Sequence, residues 1–144
     1  MAVKPIPEGQ HSVTPYLVVV GADKLIKFFE QAFAGKCIER MQGPGGAVAH
    51  AEVKIGDSIV MLGEQNERAK AYNATLYLYV PNVDETYRRA VGAGAKVLTE
   101  LTNMFYGDRS GAVIDPCGNH WHIATHIEDV SPEELQKRMQ AMRK

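Results

Sequence analysis

Apolar and polar positions follow one pattern twice along the chain, at an offset of 61 residues that carries Tyr16 onto Tyr77. In the first copy Tyr16-Leu17-Val18-Val19-Val20 is short and β-branched, which predicts a strand. Ala22, Leu25, Ile26, Phe29, Ala32 and Phe33 then recur at the spacing of one apolar helix face, and Gly35 is expected to close that helix in the left-handed conformation. In the second copy Tyr77-Leu78-Tyr79-Val80 predicts the strand. Val83, Thr86, Tyr87, Ala90 and Val91 predict the helix, and Gly94 its end. Asp23 and Asp84 fall in the first helical turns, where a negative charge suits the helix dipole.

The copy continues past the helices. Second strands are predicted over 36–40 and 96–100, and hairpins over 47–62 and 110–126, with turns at Gly56-Asp57 and Pro116-Cys117-Gly118-Asn119. Each half is therefore a βαβββ module, the first over about 12–63 and the second over about 74–126, joined by the polar linker 64–73. A last helix is predicted over about 131–144, with Ser131 as its cap, Pro132 in its first turn and Glu134 in capping-box position. The fold expected is one α+β domain over 1–144, its two modules forming a curled mixed sheet around a cavity. One module leaves a sheet face bare, and pairing two covers it.

Composition narrows the function. Sixteen basic and seventeen acidic residues balance to a net charge of −1 without a Lys/Arg block, so no nucleic-acid partner is expected. The start MAVKPIPEGQ has no apolar run, and the longest such run elsewhere is strand-sized. No membrane partner is expected, and the expected location is the cytoplasm. Cys37 and Cys117 lack metal-binding spacing and read as packing residues. GPGG at 43–46 precedes a strand and reads as a turn, not a phosphate loop.

The duplicated βαβββ plan, with TPYLVV, HAEVKIGDSIVML and FYGDRSGAVIDPCGNHWHIATH, resembles the vicinal oxygen chelate superfamily of glyoxalases, bleomycin resistance proteins and dioxygenases, in its PhnB-like branch. The resemblance implies a small-molecule cleft between curled sheets, usually completed in a homodimer. It also implies metal ligands, usually His and Glu, on the first and fourth strands of each module. The positions aligned to those ligands are Thr14, Val60, Thr75 and His122, of which only His122 suits a transition metal. No cofactor is therefore expected. A divalent metal held by His50, Glu52 and His122 stands as the alternative.

Strand alternation assigns the cavity lining. Tyr16, Val18, His50, Glu52, Tyr77, Tyr79 and His122 are expected to face the cavity, with Trp121 turned to the helices. Tyr77 and Tyr79 either contact a ligand or fill the interior. Arg109, at the start of a strand, is either an anion grip or the partner of Asp108 or Glu52. No catalytic residue is assigned. Leu101, Met104, Phe105 and Tyr106 form an apolar loop that is either a lid or a dimer contact. The function expected is binding of a small molecule, anionic if Arg109 grips it, without the family metal. A metal-dependent lyase, isomerase or dioxygenase is the competing expectation.

Overall fold

The computed structural model describes residues 2–143. The first module comprises β1 (Tyr16–Val19), α1 (Ala22–Phe33), β2 (Lys36–Gln42), β3 (Val48–Ile55) and β4 (Ser58–Glu64). The second comprises β5 (Thr75–Tyr79), α2 (Val83–Gly92), β6 (Lys96–Asn103), β7 (Asp108–Ile114) and β8 (His120–His126), and α3 (Pro132–Met142) follows. Each module is a mixed four-stranded sheet, in the orders β1-β4-β3-β2 and β5-β8-β7-β6. The first strand of each lies parallel to the fourth, and the other pairs are antiparallel.

The sheets are not hydrogen-bonded to one another, so β1 and β5 are left as edge strands. The modules meet through their helices. A continuous core runs from Leu17, Val19, Val53 and Leu62 of the first sheet, through Phe28, Phe29, Phe33, Val83 and Tyr87, to Val113, Trp121 and Ile123 of the second. Trp121 packs against the rings of Phe29 and Phe33 at 5.4 and 4.9 Å between centroids. Burying a side chain the size of Phe28 or Phe29 contributes about 1.5–3 kcal/mol. With the helices over one face of each sheet, the opposite faces hold the exposed rings of Tyr16, Tyr77 and Tyr79.

Two local expectations are corrected. The left-handed residue ending α1 is Ala34, at φ 54°, not Gly35. Gly35 is needed for space, because a Cβ there would lie 2.8 Å from Val53 Cγ1 and 3.0 Å from the Phe29 carbonyl oxygen. Val60 faces the helices and is buried beside Val53, its cross-strand partner; Met61 takes the other face, opposite Tyr16 and Glu52. At the chain's end, Ser131 Oγ accepts from the Glu134 amide, while the Glu134 carboxylate goes to Arg138.

Candidate functional site

On the open face of the first sheet a hydrogen-bond chain links β1 to β3. Tyr16 Oη lies 3.2 Å from His50 Nδ1, and His50 Nε2 lies 3.0 Å from Glu52 Oε2. Gln10 donates to the other Glu52 oxygen at 2.9 Å. A neutral imidazole with its proton on Nε2 satisfies the whole chain, because Tyr16 then donates to Nδ1. Val18 shares this face with Tyr16, opposite Gly63 of β4.

The second sheet carries a denser constellation. Asp108, at the start of β7, is only 3% exposed. Its Oδ2 accepts from Tyr77 at 2.7 Å and from Tyr79 at 2.8 Å, and its Oδ1 lies 2.8 Å from His126 Nδ1. The second His126 nitrogen lies 2.7 Å from Asp129 Oδ1. Burial pushes the Asp108 carboxyl up, but the hydrogen bonds from His126, Tyr77 and Tyr79 outweigh it and hold the group below the usual carboxylate value. His126 is raised, first by its hydrogen bond to Asp108 and then by that to Asp129. Tyr77 is raised by burial and by its bonds to Tyr106 and Asp108, and Tyr79 chiefly by its bond to Asp108. Both tyrosines therefore stay protonated and donate to an ionised carboxylate.

His122 lies opposite Tyr77, and the rings are nearly parallel, 6° apart in tilt with centroids 5.8 Å apart. Tyr77 and Tyr79 form a corner, with centroids 5.2 Å apart and planes at 50°. Tyr106 brings its hydroxyl to 3.3 Å from that of Tyr77. Arg138 of α3 fixes the Tyr106 loop by donating to the Phe105 carbonyl oxygen at 2.8 Å and to Glu128 at 2.7 Å. Gly107, at φ 107°, allows the loop to pass against the Glu128 carbonyl, where a Cβ would collide. A cavity of about 270 Å³ adjoins the constellation, lined by Glu100, Thr102, Met104, Tyr106, Ser110 and His122 among others.

Arg109 does not join the open faces. Alternation along β7 sends it opposite Thr125, to the helix side. There its guanidinium takes Asp84 of α2 from Nε at 3.0 Å and from Nη2 at 2.8 Å, and Asn103 from Nη1 at 3.1 Å. The structural basis for an anion grip is thereby removed. Nor does His122 join His50 and Glu52, because it stands on the other sheet; among the described residues no three His, Cys, Asp or Glu side chains are grouped to hold a metal ion.

Asp108, Tyr106, His126 and Asp129 are absent from the cavity-facing residues expected from sequence, where Asp108 appears only as a partner for Arg109 and Tyr106 only in the apolar loop. The first was within reach of that reading, because Asp108 has the parity of Ser110 and Ala112, and Ala112 is the partner of His122. Nothing in strand alternation signals Tyr106 or Asp129, which lie outside strands.

Among the described residues no helix is long and apolar enough to cross a membrane. An uncharacterized protein of Mycobacterium bovis is 33% identical over 139 residues, spanning 89% of this chain and 91% of that protein. Solved structures share the fold. TioX from Micromonospora sp. ML1 superposes with a TM-score of 0.71 at 23% identity, over 81% of this chain and 99% of its own. The PhnB protein of Bacillus cereus gives 0.63 at 15%, over 80% and 99%. TnmS3 of Streptomyces sp. CB03234, described as an antibiotic binding protein, gives 0.64 at 19%, over 88% and 98%. The profile of one family matches residues 9–123, and with the duplicated βαβββ sheets it places this chain in the glyoxalase/bleomycin resistance protein/dioxygenase superfamily.

Proposed function

We propose that the protein binds a small molecule on the open faces of its sheets, without the metal of its catalytic relatives and with a second copy of the chain completing the cleft. The observation that carries this reading is the residue set at the repeat-related positions on the first and fourth strands. Tyr16 pairs with Met61 in one module, and Tyr77 with His122 in the other; Thr14 and Thr75, expected at these positions, do not take them, since Thr14 precedes β1 and Thr75 lies opposite His120. Two phenols, a thioether and one imidazole are a poor set for zinc, nickel or iron. To ligate as a phenolate, Tyr77 would also have to lose the proton it shares with Asp108. His50 and Glu52 already satisfy each other.

Support for binding comes from the surface itself. Tyr77 is 43% exposed and Tyr79 60%, both on a face backed by buried polar groups, which gives stacking area with directional handles. The antibiotic-binding description of TnmS3, on the same fold, is in keeping with that use. Support for a second copy comes from the edges. Strands β1 and β5 each present unpaired backbone groups, and two-fold pairing of β1 with the β5 of another copy would satisfy both and bring one sheet of each copy to a shared cleft.

Light scattering at micromolar concentration, joined to a thermal-shift screen of small molecules, tests this reading. A mass of about twice 15.9 kDa and ligands that raise the melting temperature through Tyr77 and Tyr79 are expected. A monomer whose hits bind equally well to a Tyr77→Ala, Tyr79→Ala variant contradicts it.

A further inference from the structure

The geometry points to an organic ammonium ion as the group that the second sheet receives, seated in the corner of Tyr77 and Tyr79 in front of Asp108. This rests on the reading of the open sheet face as a binding surface and goes further, by giving the ligand's charge.

Hydrogen-bond direction is the first reason. Asp108 accepts from Tyr77, Tyr79 and His126, so both tyrosine protons are committed to its carboxylate and are not free for a ligand. Each phenol oxygen is left with lone pairs only. Tyr106, at 3.3 Å, can then only donate to Tyr77. What Tyr79, with the more exposed ring, offers a visitor is an acceptor and a π-face.

Charge is the second reason. Asp108 and Asp129 carry two negative charges, and His126 between them offsets one of these when protonated. The cluster is therefore net negative with His126 in either state, and Glu100 adds another carboxylate along the adjoining cavity. Arg109, the nearest permanent cation in sequence, is on the helix side with Asp84. His122 lies flat beside Tyr77, its ring nearly parallel to the phenol.

Ring electronics is the third reason. A phenol that donates to a carboxylate gains electron density in its ring, which strengthens the attraction of the ring face for a cation. Two such rings meet at 50° with centroids 5.2 Å apart, making two walls of an aromatic cage. Tyr106 flanks Tyr77 at its hydroxyl end. An anion here would meet acceptors and carboxylates. A neutral ligand would gain the stacking but not the charge.

Nuclear magnetic resonance titration of ¹⁵N-labelled protein at low ionic strength separates these cases, with benzyltrimethylammonium, benzyl alcohol and benzenesulfonate as probes of similar size. Benzyltrimethylammonium should shift the amides of residues 77, 79, 106 and 108 saturably, and bind about tenfold more tightly than the other two. Asp108→Asn should remove most of that advantage. Asp108 has three partners and its loss could disturb folding, so Tyr79→Leu, at an exposed ring, is the second variant and should also remove most of it. Equal affinity of all three probes at this face overturns the ammonium assignment while leaving the binding face standing. A cation response mapped to other residues, or one unchanged in Tyr79→Leu, also overturns it. Shifts from none of the probes on either open face remove both the assignment and the binding reading.

Discussion

The two modules share a backbone plan and differ in what they hang on its open face. Toward the helices they are alike: Leu17, Val19, Val53 and Leu62 in one, Val113, Trp121 and Ile123 in the other, form one core. On the opposite face the first sheet carries a hydrogen-bond chain of Tyr16, His50, Glu52 and Gln10. The second gathers two tyrosines and a histidine on a buried aspartate. A duplicated scaffold must keep its packing face, because each lost methylene there costs stability. Its solvated face is free to change chemistry. The second module is thus the more specialised, and its polar groups are more tightly interdependent.

That contrast can be broken most sharply at the hairpin turns. In the second module Asp115 is buried and accepts from Trp121 Nε1 at 2.9 Å, from the Asn119 amide group at 3.0 Å and from the backbone of Cys117 and Asn119. Asp115→Ala should cost about 3 kcal/mol in urea unfolding, because several buried donors lose their acceptor. Asp57, in the first module's exposed turn, accepts from the adjacent Ser58 hydroxyl at 2.9 Å, and Asp57→Ala should stay within about 0.5 kcal/mol. Similar losses at both turns would contradict the asymmetry.

Next in size is Asp108→Asn, expected to lose about 2 kcal/mol at neutral pH from bonds made to a charged acceptor. The folded carboxyl lies below its ordinary value of 3.8, so its contribution is present above pH 3.8 and is lost as pH falls through the folded value. Wild type and variant should therefore converge in acid. A difference that persists undiminished at the lowest pH where the protein folds would show that Asp108 acts by packing.

His126 has the opposite sign. Its folded value is raised above 6.5, so its stabilisation is complete below about pH 6.5 and fades as pH rises through the folded value. His126→Gln should be less stable than wild type in mild acid and approach it in alkali, as read by thermal melts across pH. A gap that widens in alkali would contradict the imidazolium between Asp108 and Asp129.

The smallest effect belongs to Arg109→Met. Its guanidinium is tied to an exposed Asp84 on the helix side, so ligand affinity should be unchanged and stability only slightly reduced. Selective loss of anionic ligands would return Arg109 to the cleft.

Much of the scaffold was legible because periodicity and turn chemistry agreed twice at one offset. Gly94 does take the left-handed conformation at the end of α2, and Ser131 does cap α3. Facing was harder to read where a strand is apolar on both sides. In β4 Ile59, Val60 and Leu62 are all buried, so hydrophobicity could not choose between Val60 and Met61; register could, since the offset of 61 carries Met61 onto His122. Arg109 was placed by its chemistry, and the parity of β7 overrides that with Asp108. Bonds between a loop and a strand, such as Tyr106 with Tyr77, or His126 with Asp129, depend on tertiary approach that no local pattern encodes.

Metal content tests the central claim most directly. Protein purified without an affinity tag, incubated with equimolar zinc, nickel, manganese and ferrous ions and then desalted, should retain far less than one metal ion per chain by elemental mass spectrometry, with His122→Ala indistinguishable from wild type. Retention of about one ion per chain, abolished by His122→Ala, would contradict the account and return the protein to the metal-dependent members of its superfamily.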